Sequence, residues 1–313
     1  MPLFQTIEDV RDYVKFNLIF DFPTIETYLT DAEEIDLADY IGSDLIARLV
    51  GAENPNAIER QGLVFCRRFV ARLGTLRWLP MGEVQFGNDG ITTVGKGEMR
   101  TAAYDAQIAR ITASLTNSAY NALEQLLRWL EKPNILTELT QYATSAQRTE
   151  NQKYLIKNAT EFSTYYQIFG KQLTFLALRP TMAAVETQRL APALGELYTT
   201  LKTGTGLSDL QKKLLDACKW FLAYQTVADV LELELNVELD AGGLRVNYTA
   251  QFENTKYYTP PTDAQRISAQ QAAARRAEKM WSTVNSILTE INPPVVDTST
   301  ASGIVASKFS VGF

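Results

Sequence analysis

Acidic side chains are the first candidates for chemistry in this 313-residue chain, because the chain contains no histidine. Histidine is the commonest general base and the commonest metal ligand, so its absence excludes the serine-triad relay and most zinc sites. A hydrolase would therefore depend on carboxylates alone. Glu232, Glu234 and Glu238 share one face of a predicted strand. A glycosidase needs two carboxylates facing each other across a cleft, so we favour a solvent-facing or partner-facing surface for these acids.

A second acidic run lies where the pattern predicts the start of a helix, and carboxylates there complement the helix dipole. This run comprises Glu33, Glu34, Asp36 and Asp39. The two cysteines, Cys66 and Cys218, are too few for a zinc site of their own or for a disulfide framework. The sequence therefore predicts no catalytic residue, no cofactor and no metal site, and indicates that the protein is not an enzyme.

Two glycine-rich motifs, Gly95-Lys96-Gly97 and Gly204-Thr205-Gly206, could suggest a phosphate-binding loop. Neither has the Walker spacing or the strand-glycine-helix context of a nucleotide fold. We interpret both as turns.

Three groups of basic side chains are candidates for contact with DNA phosphates or with an acidic protein partner. They are Arg67, Arg68, Arg72 and Arg77 in one helix, Lys212, Lys213 and Lys219 in a second, and Arg266, Arg275 and Arg276 in the last. The alternative is that they only solvate helix faces, as charge runs commonly do. No aromatic residues interleave with them in a way that suggests base stacking.

The last 21 residues, from Pro293 to Phe313, hold one acid and one base among Ser, Thr, Gly and Val. Such a segment cannot form its own core, because ordering it costs more backbone entropy than its burial offsets. Docked on a partner, it could insert Phe309 and Phe313 as anchors. A frayed terminus is the alternative, and we favour docking.

The strongest pattern is an internal repeat, in which four separate segments recur at an offset of 152 or 153 residues. Cys66 and the five residues after it align with Cys218 and its followers, and the capping box at Asn56 aligns with that at Ser208. The pattern of each copy predicts a helix, a short loop, a second helix that starts at the capping box, a β-hairpin and a long closing helix. Helical periodicity alone would not place caps and turns in register, so we infer a tandem duplication.

The repeat predicts a mainly α fold of two similar helical domains, each with a small β-hairpin. The first spans 1–133 with a hairpin near 83–94, and the second spans 161–292 with a hairpin near 233–252. Polar residues over 134–160 predict a connector, and 293–313 an extended tail. In the second hairpin, apolar and polar residues alternate from Leu231 onward, although the preceding helix could continue through Leu235.

Composition fits a globular chain, with 46% hydrophobic and 21% charged residues. No apolar run is long enough to span a bilayer, and no secretory signal is visible, so we expect use without export. A net charge of −6 argues against a free-standing non-specific DNA binder.

Two stretches carry a family resemblance. They are Phe162-x2-Tyr165-Tyr166 through Leu190-Ala191-Pro192-Ala193-Leu194-Gly195-Glu196-Leu197, and Tyr40-Ile41-Gly42-Ser43-Asp44-Leu45 followed by Asn88-Asp89-Gly90-Ile91. The pattern resembles a family of Bacteroidales phages and prophages whose members are similar to head–tail connector (adaptor or ring) proteins, crAss-like phages included. The second copy departs from the first by one residue fewer after the motif glycine.

The resemblance implies a structural virion protein, assembled in the bacterial host cytoplasm, that forms a ring between portal and tail. Its implied partners are copies of itself, portal and tail proteins, and transiently the packaged DNA, with no membrane contact. It implies no catalytic residues. Two alternatives stay open: an intracellular protein-binding scaffold that never enters a virion, and a carboxylate hydrolase, which predicts a concave cluster of buried acids.

Overall fold

The computed structural model describes residues 2–14, 21–82, 84–87, 90–93, 105–232, 237–240, 243–246 and 262–292. These residues are mostly helical and form two successive units, each around its own apolar core. The prediction of a mainly helical, tandemly duplicated fold is confirmed.

The first unit begins with short helices and closes with two long antiparallel ones. Its helices are α1 (Ile7–Arg11), α2 (Pro23–Asp31), α3 (Ala38–Ile41), α4 (Ser43–Gly51), α5 (Ala57–Gly82) and α6 (Asp105–Leu130). A π-helical segment, Ala32–Leu37, joins α2 to α3 without a break. Short strands β1 (Val84–Gly87) and β2 (Gly90–Thr93) pair antiparallel between α5 and α6, with Val84 opposite Thr93.

Three short helices follow: α7 (Pro133–Glu138), α8 (Thr140–Ala143) and α9 (Ala146–Asn151). The second unit then repeats the order of the first. Its elements are α10 (Ala159–Tyr165), α11 (Gln172–Val185), a π-helical segment (Glu186–Leu190), α12 (Ala191–Leu194), α13 (Leu197–Thr203), α14 (Asp209–Glu232), β3 (Val237–Asp240), β4 (Gly243–Val246) and α15 (Asp263–Ile291). Strands β3 and β4 pair antiparallel, with Val237 opposite Val246.

Equivalent positions of the two units have equivalent structures. Phe69 of α5 and Phe221 of α14, 152 residues apart, are both fully buried in their cores. Gly42 and Gly195, 153 residues apart, both have positive φ angles, of 81° and 55°, where α3 and α12 end. Glycine suits this turn because positive φ costs it little. The duplication therefore extends to backbone conformations that helical periodicity does not specify.

Both predicted capping boxes are confirmed. The Asn56 side chain accepts a hydrogen bond from the Glu59 amide at 2.9 Å, and Glu59 accepts one from the Asn56 amide at 3.0 Å. Ser208 and Gln211 repeat this exchange at 3.2 and 2.9 Å. Each pair satisfies two amides that a helix start leaves without partners, so the same signal starts both long helices.

The segment predicted as a connector, 134–160, contains α7 to α9 and the start of α10. Ile135, Leu139 and Tyr142 are buried in the first core, whereas Leu155 and Ile156 are buried in the second. Each short helix contributes only one or two buried side chains, too few for a visible periodicity. The segment therefore packs on both units.

One local expectation was wrong, and one alternative left open is decided. The acidic run from Glu33 does not begin a helix, because α2, the π-helical segment and α3 are continuous and α2 starts ten residues earlier, at Pro23. For Leu231 the sequence allowed a strand or a continuation of the preceding helix, and the structure has the helix: Leu231 lies in α14 and is buried in the second core. There its apolar contacts decide the structure over the alternation that follows it in the sequence.

Candidate interaction surfaces

Each unit contains one buried glutamate in its π-helical segment. Glu33 accepts a hydrogen bond from the Leu3 amide at 2.9 Å. Glu186, 153 residues later and fully buried, accepts the Leu155 amide at 3.0 and 3.1 Å and the Tyr198 hydroxyl at 2.7 Å. Burial raises the pKa of both carboxyls, and the amide donors partly oppose this shift.

These two carboxylates fasten the first residues of each unit to its core. Leu3 belongs to the same core as the helix carrying Glu33, and Leu155 to the same core as the one carrying Glu186. The two buried acids therefore lie in separate cores and do not face each other. In the part of the chain that the structure describes, no group of three Asp, Glu or Cys side chains could hold a metal ion.

The two thiols are also buried at equivalent positions, Cys66 in α5 and Cys218 in α14. Burial raises the pKa of each to about 12. Both are therefore protonated at neutral pH, and a protonated thiol is a poor nucleophile. They behave as small apolar residues of the core.

The predicted basic side chains of α5 divide into two pairs. Arg67 donates from Nε to the Leu3 carbonyl at 3.0 Å, and Arg77 forms an ion pair with Asp36 at 2.7 Å. These two arginines hold the N-terminal part of the unit to α5. Arg68 and Arg72, by contrast, line a surface cavity of about 410 Å³ beside α6.

The basic side chains of the second unit are similarly divided. Lys219 is largely buried and pairs with Glu161 of α10. Lys212 pairs with Asp209 at 3.1 Å, with both side chains exposed, and Lys213 is exposed.

On α15, Arg266 pairs with Asp263 at 3.5 Å, and Arg275 is exposed. Arg276 donates to the Tyr224 hydroxyl at 3.2 Å and covers its ring. This contact also fixes the direction of the two long helices, since Phe221 packs against Trp281 in the reverse order. At 1.5 Å per residue, Lys212 and Arg266 then lie at opposite ends of the antiparallel pair, about 30 Å apart. The predicted basic residues therefore do not form one surface patch.

A junction of side-chain to backbone hydrogen bonds joins the units, and no pattern in the sequence predicts it. The Glu124 carboxylate of α6 accepts the amides of Gln172 and Leu173, at 2.9 and 3.0 Å, where α11 begins. Arg128, one turn later, donates to the Phe169 carbonyl at 3.3 Å. Because α6 belongs to the first unit and α11 to the second, these bonds fix the two units to each other.

A cleft of about 550 Å³ opens beside this junction and is lined by both units. In its wall, the Tyr142 hydroxyl donates to Glu131 at 2.9 Å, and Arg179 donates to Asn151 at 2.9 Å. Burial raises the pKa of Tyr142, so the hydroxyl keeps its proton. Leucines 127, 173 and 176 add apolar surface, and the cleft could receive a short segment of a partner.

Some predicted residues cannot be placed. The tail anchors Phe309 and Phe313 and the motif Gly95-Lys96-Gly97 lie outside the described residues. The other glycine motif is a turn as predicted, with φ of 70° at Gly204 and 69° at Gly206. Among the helices described, none has the length and apolar character needed to cross a membrane.

Comparison with known proteins adds one finding. A family of unknown function (DUF6712) matches the chain twice, over residues 39–149 and 179–293, which together make up more than two thirds of it. Neither the curated proteins nor the solved structures gave a match. The two matched segments correspond to the two units of the fold, and the chain therefore belongs to this family of unknown function, carrying its pattern twice in tandem.

Proposed function

We propose that this protein is a non-enzymatic structural component of a phage virion, a head–tail adaptor that forms a ring between portal and tail and lets DNA pass. One observation carries the proposal: the two units have the same order of elements, and the Glu124 carboxylate and Arg128 join them through hydrogen bonds. An adaptor transmits force between two neighbours, so its domains must not hinge freely. The resemblance of the residue pattern to head–tail connectors, inferred from the sequence alone, supports the same function.

Ring assembly needs surfaces that meet in a head-to-tail manner. In this proposal the small β-hairpin of each unit and the tail over 293–313 supply contacts to neighbouring copies or to portal and tail proteins. Phe309 and Phe313 would be the anchors of the tail, because buried aromatic side chains dominate the energy of protein interfaces.

Contact with the packaged DNA would be transient and non-specific. Several basic side chains are engaged in ion pairs, such as Arg77 with Asp36 and Lys219 with Glu161. The chain as a whole carries a net charge of −6. An acidic surface repels the phosphate backbone, which favours sliding over binding.

The test is electron microscopy and mass photometry of the purified full chain, together with mass spectrometry of purified virions. The proposal predicts closed rings, or ring formation on addition of the portal protein, and a fixed copy number per virion. Absence of the protein from virions of a phage that encodes it would refute the proposal.

A second candidate function is that of an intracellular binding scaffold that never enters a particle. The junction cleft favours it, because a concave surface with leucine side chains and a few fixed polar groups suits one peptide segment of a soluble partner. This function predicts a monomer or dimer in solution and one stoichiometric partner in pull-downs. Substitution of Leu176 by Arg in the cleft would then abolish the capture.

A further inference from the structure

Because the two units are duplicates, each surface position of one unit can be compared with the equivalent position of the other. The side chains of Arg68 and Arg72 lie one helical turn apart on α5, and their equivalents 152 residues later are Trp220 and Tyr224 on α14. The second unit packs this position with aromatic rings. Trp220 stacks on Tyr224 with 5.7 Å between ring centroids, and Tyr165 meets Trp220 edge-on at 5.2 Å.

In the first unit the described residues leave the same position open. A cavity of about 410 Å³ lies there, lined by Arg68, Arg72, Ser114 and Ser118, with Asp12 also in its wall. The aromatic residue equivalent to Tyr165 is retained as Tyr13, which lines the cavity. The second unit therefore shows that this fold accommodates an apolar filling at the position, without arginine charges.

Two like charges four residues apart on a helix repel each other. Within the described part of the chain, neither guanidinium forms an ion pair. Arg68 covers the ring of Phe65 at 5.9 Å, and Arg72 donates from Nη1 to the Ser118 carbonyl at 2.9 Å. Burial and the charge of Arg68 both lower the pKa of Arg72. An anion held between the two side chains would remove this repulsion.

We infer that the cavity between α5 and α6 of the first unit is a binding site for a phosphate group, with the guanidinium groups of Arg68 and Arg72 as its main ligands. Guanidinium binds phosphate through paired charge-assisted hydrogen bonds, and two of them match its double charge. Ser114 in the wall adds a hydroxyl group that can donate to a phosphate oxygen, whereas the Ser118 hydroxyl already donates to the Leu115 carbonyl at 3.0 Å. A carboxylate from a protein partner is a poorer match for this cavity, because it carries one charge, pairs with one arginine and fills less of the volume. The inference does not depend on the ring proposal.

Isothermal titration calorimetry of the full chain with sodium phosphate in a low-chloride buffer tests this site. We expect saturable binding that Arg68→Gln weakens at least about tenfold, because one of two charge-assisted ligand groups is lost. Arg68→Lys should retain part of the affinity. Arg275→Gln, an exposed arginine of α15, is the matched control and should bind as the unmodified chain does.

Arg72 also supports the fold through Ser118, so its role needs a different variant. The double substitution Arg68→Trp with Arg72→Tyr copies the residues of the second unit. It should keep the unfolding temperature within a few degrees and abolish phosphate binding.

Two further titrations identify the source of the phosphate. Binding of single- or double-stranded oligonucleotides that Arg68→Gln weakens would assign the site to the nucleic-acid backbone. Phosphate binding that depends on Arg68, with oligonucleotides unaffected by the substitution, would assign it to free phosphate or a phosphate monoester. No saturable phosphate or oligonucleotide binding, equal losses in Arg68→Gln and Arg275→Gln, or tighter binding of a poly-glutamate peptide would overturn the inference.

Discussion

Replacing Glu186 by leucine should cost more stability than the same change at Glu33. In Glu186→Leu the buried Leu155 amide loses its acceptor, and the Tyr198 hydroxyl loses its partner. A buried donor left without a partner costs about 1–3 kcal/mol, and the half-buried tyrosine, which can reach water, adds about 1 kcal/mol. We expect a loss of about 2–4 kcal/mol in the free energy of unfolding.

Among the described residues, Glu33→Leu removes one hydrogen bond, that of the Leu3 amide, so a loss of about 1–3 kcal/mol is expected. The expected difference in free energy of unfolding between the two variants then comes from the lost hydrogen bond of the Tyr198 hydroxyl. The double variant Glu186→Leu with Tyr198→Phe should therefore lose less than the sum of the two single variants, by about 1 kcal/mol.

Urea unfolding of the full chain, followed by far-ultraviolet circular dichroism, measures these differences. Glu196→Leu, at an exposed position of the same unit, is the control and should stay within about 0.5 kcal/mol of the unmodified chain. Equal losses at both buried glutamates, or strict additivity with Tyr198→Phe, would show that these carboxylates do not act through the hydrogen bonds described.

Three further outcomes are expected. Gly74→Ala should lower the free energy of unfolding by about 1–3 kcal/mol, because a Cβ there would lie 2.7 Å from Leu29 Cδ2 and 3.1 Å from its backbone. Gly51→Ala, with open space around it, is the control and should leave thermal unfolding unchanged. Glu124→Ala deprives two amides of α11 of their acceptor and should let proteases cleave between the units, which Glu138→Ala should not. The pKa of Glu186 is raised on folding because burial disfavours the charged carboxylate. The pH-dependent part of its contribution is therefore present at low pH and decreases as pH rises above about 4.5, the usual glutamate value. Glu186→Gln should gain stability relative to the unmodified chain as pH rises from 4 to 7, and a relative loss over that range would contradict this sign.

The sequence predicts those features of the fold that local chemistry determines. Capping boxes at Asn56 and Ser208 are exchanges between residues three apart, so their spacing alone identifies the helix starts. The end of α15 at Ile291, just before two prolines, is of the same kind.

Features that depend on contacts between distant residues could not be predicted in this way. The local pattern predicts a helix-start role for Glu33, since its actual partner is the amide of Leu3, thirty positions earlier. The junction through Glu124 depends on amides 48 and 49 positions later. An exposed and a buried glutamate have the same sequence pattern when their partners are backbone amides, because an amide partner leaves no residue type to recognise. Only the offset of 153 residues between Glu33 and Glu186 could have indicated a shared role.

Comparison of the two units separates what the fold requires from what it permits. Both keep the glutamate of the π-helical segment, the positive-φ glycine and the buried cysteine, because each satisfies a backbone or packing demand of the unit. They differ where α5 and α14 meet solvent, with arginines in one unit and aromatic rings in the other. The two units therefore share one fold but present different side chains at this position.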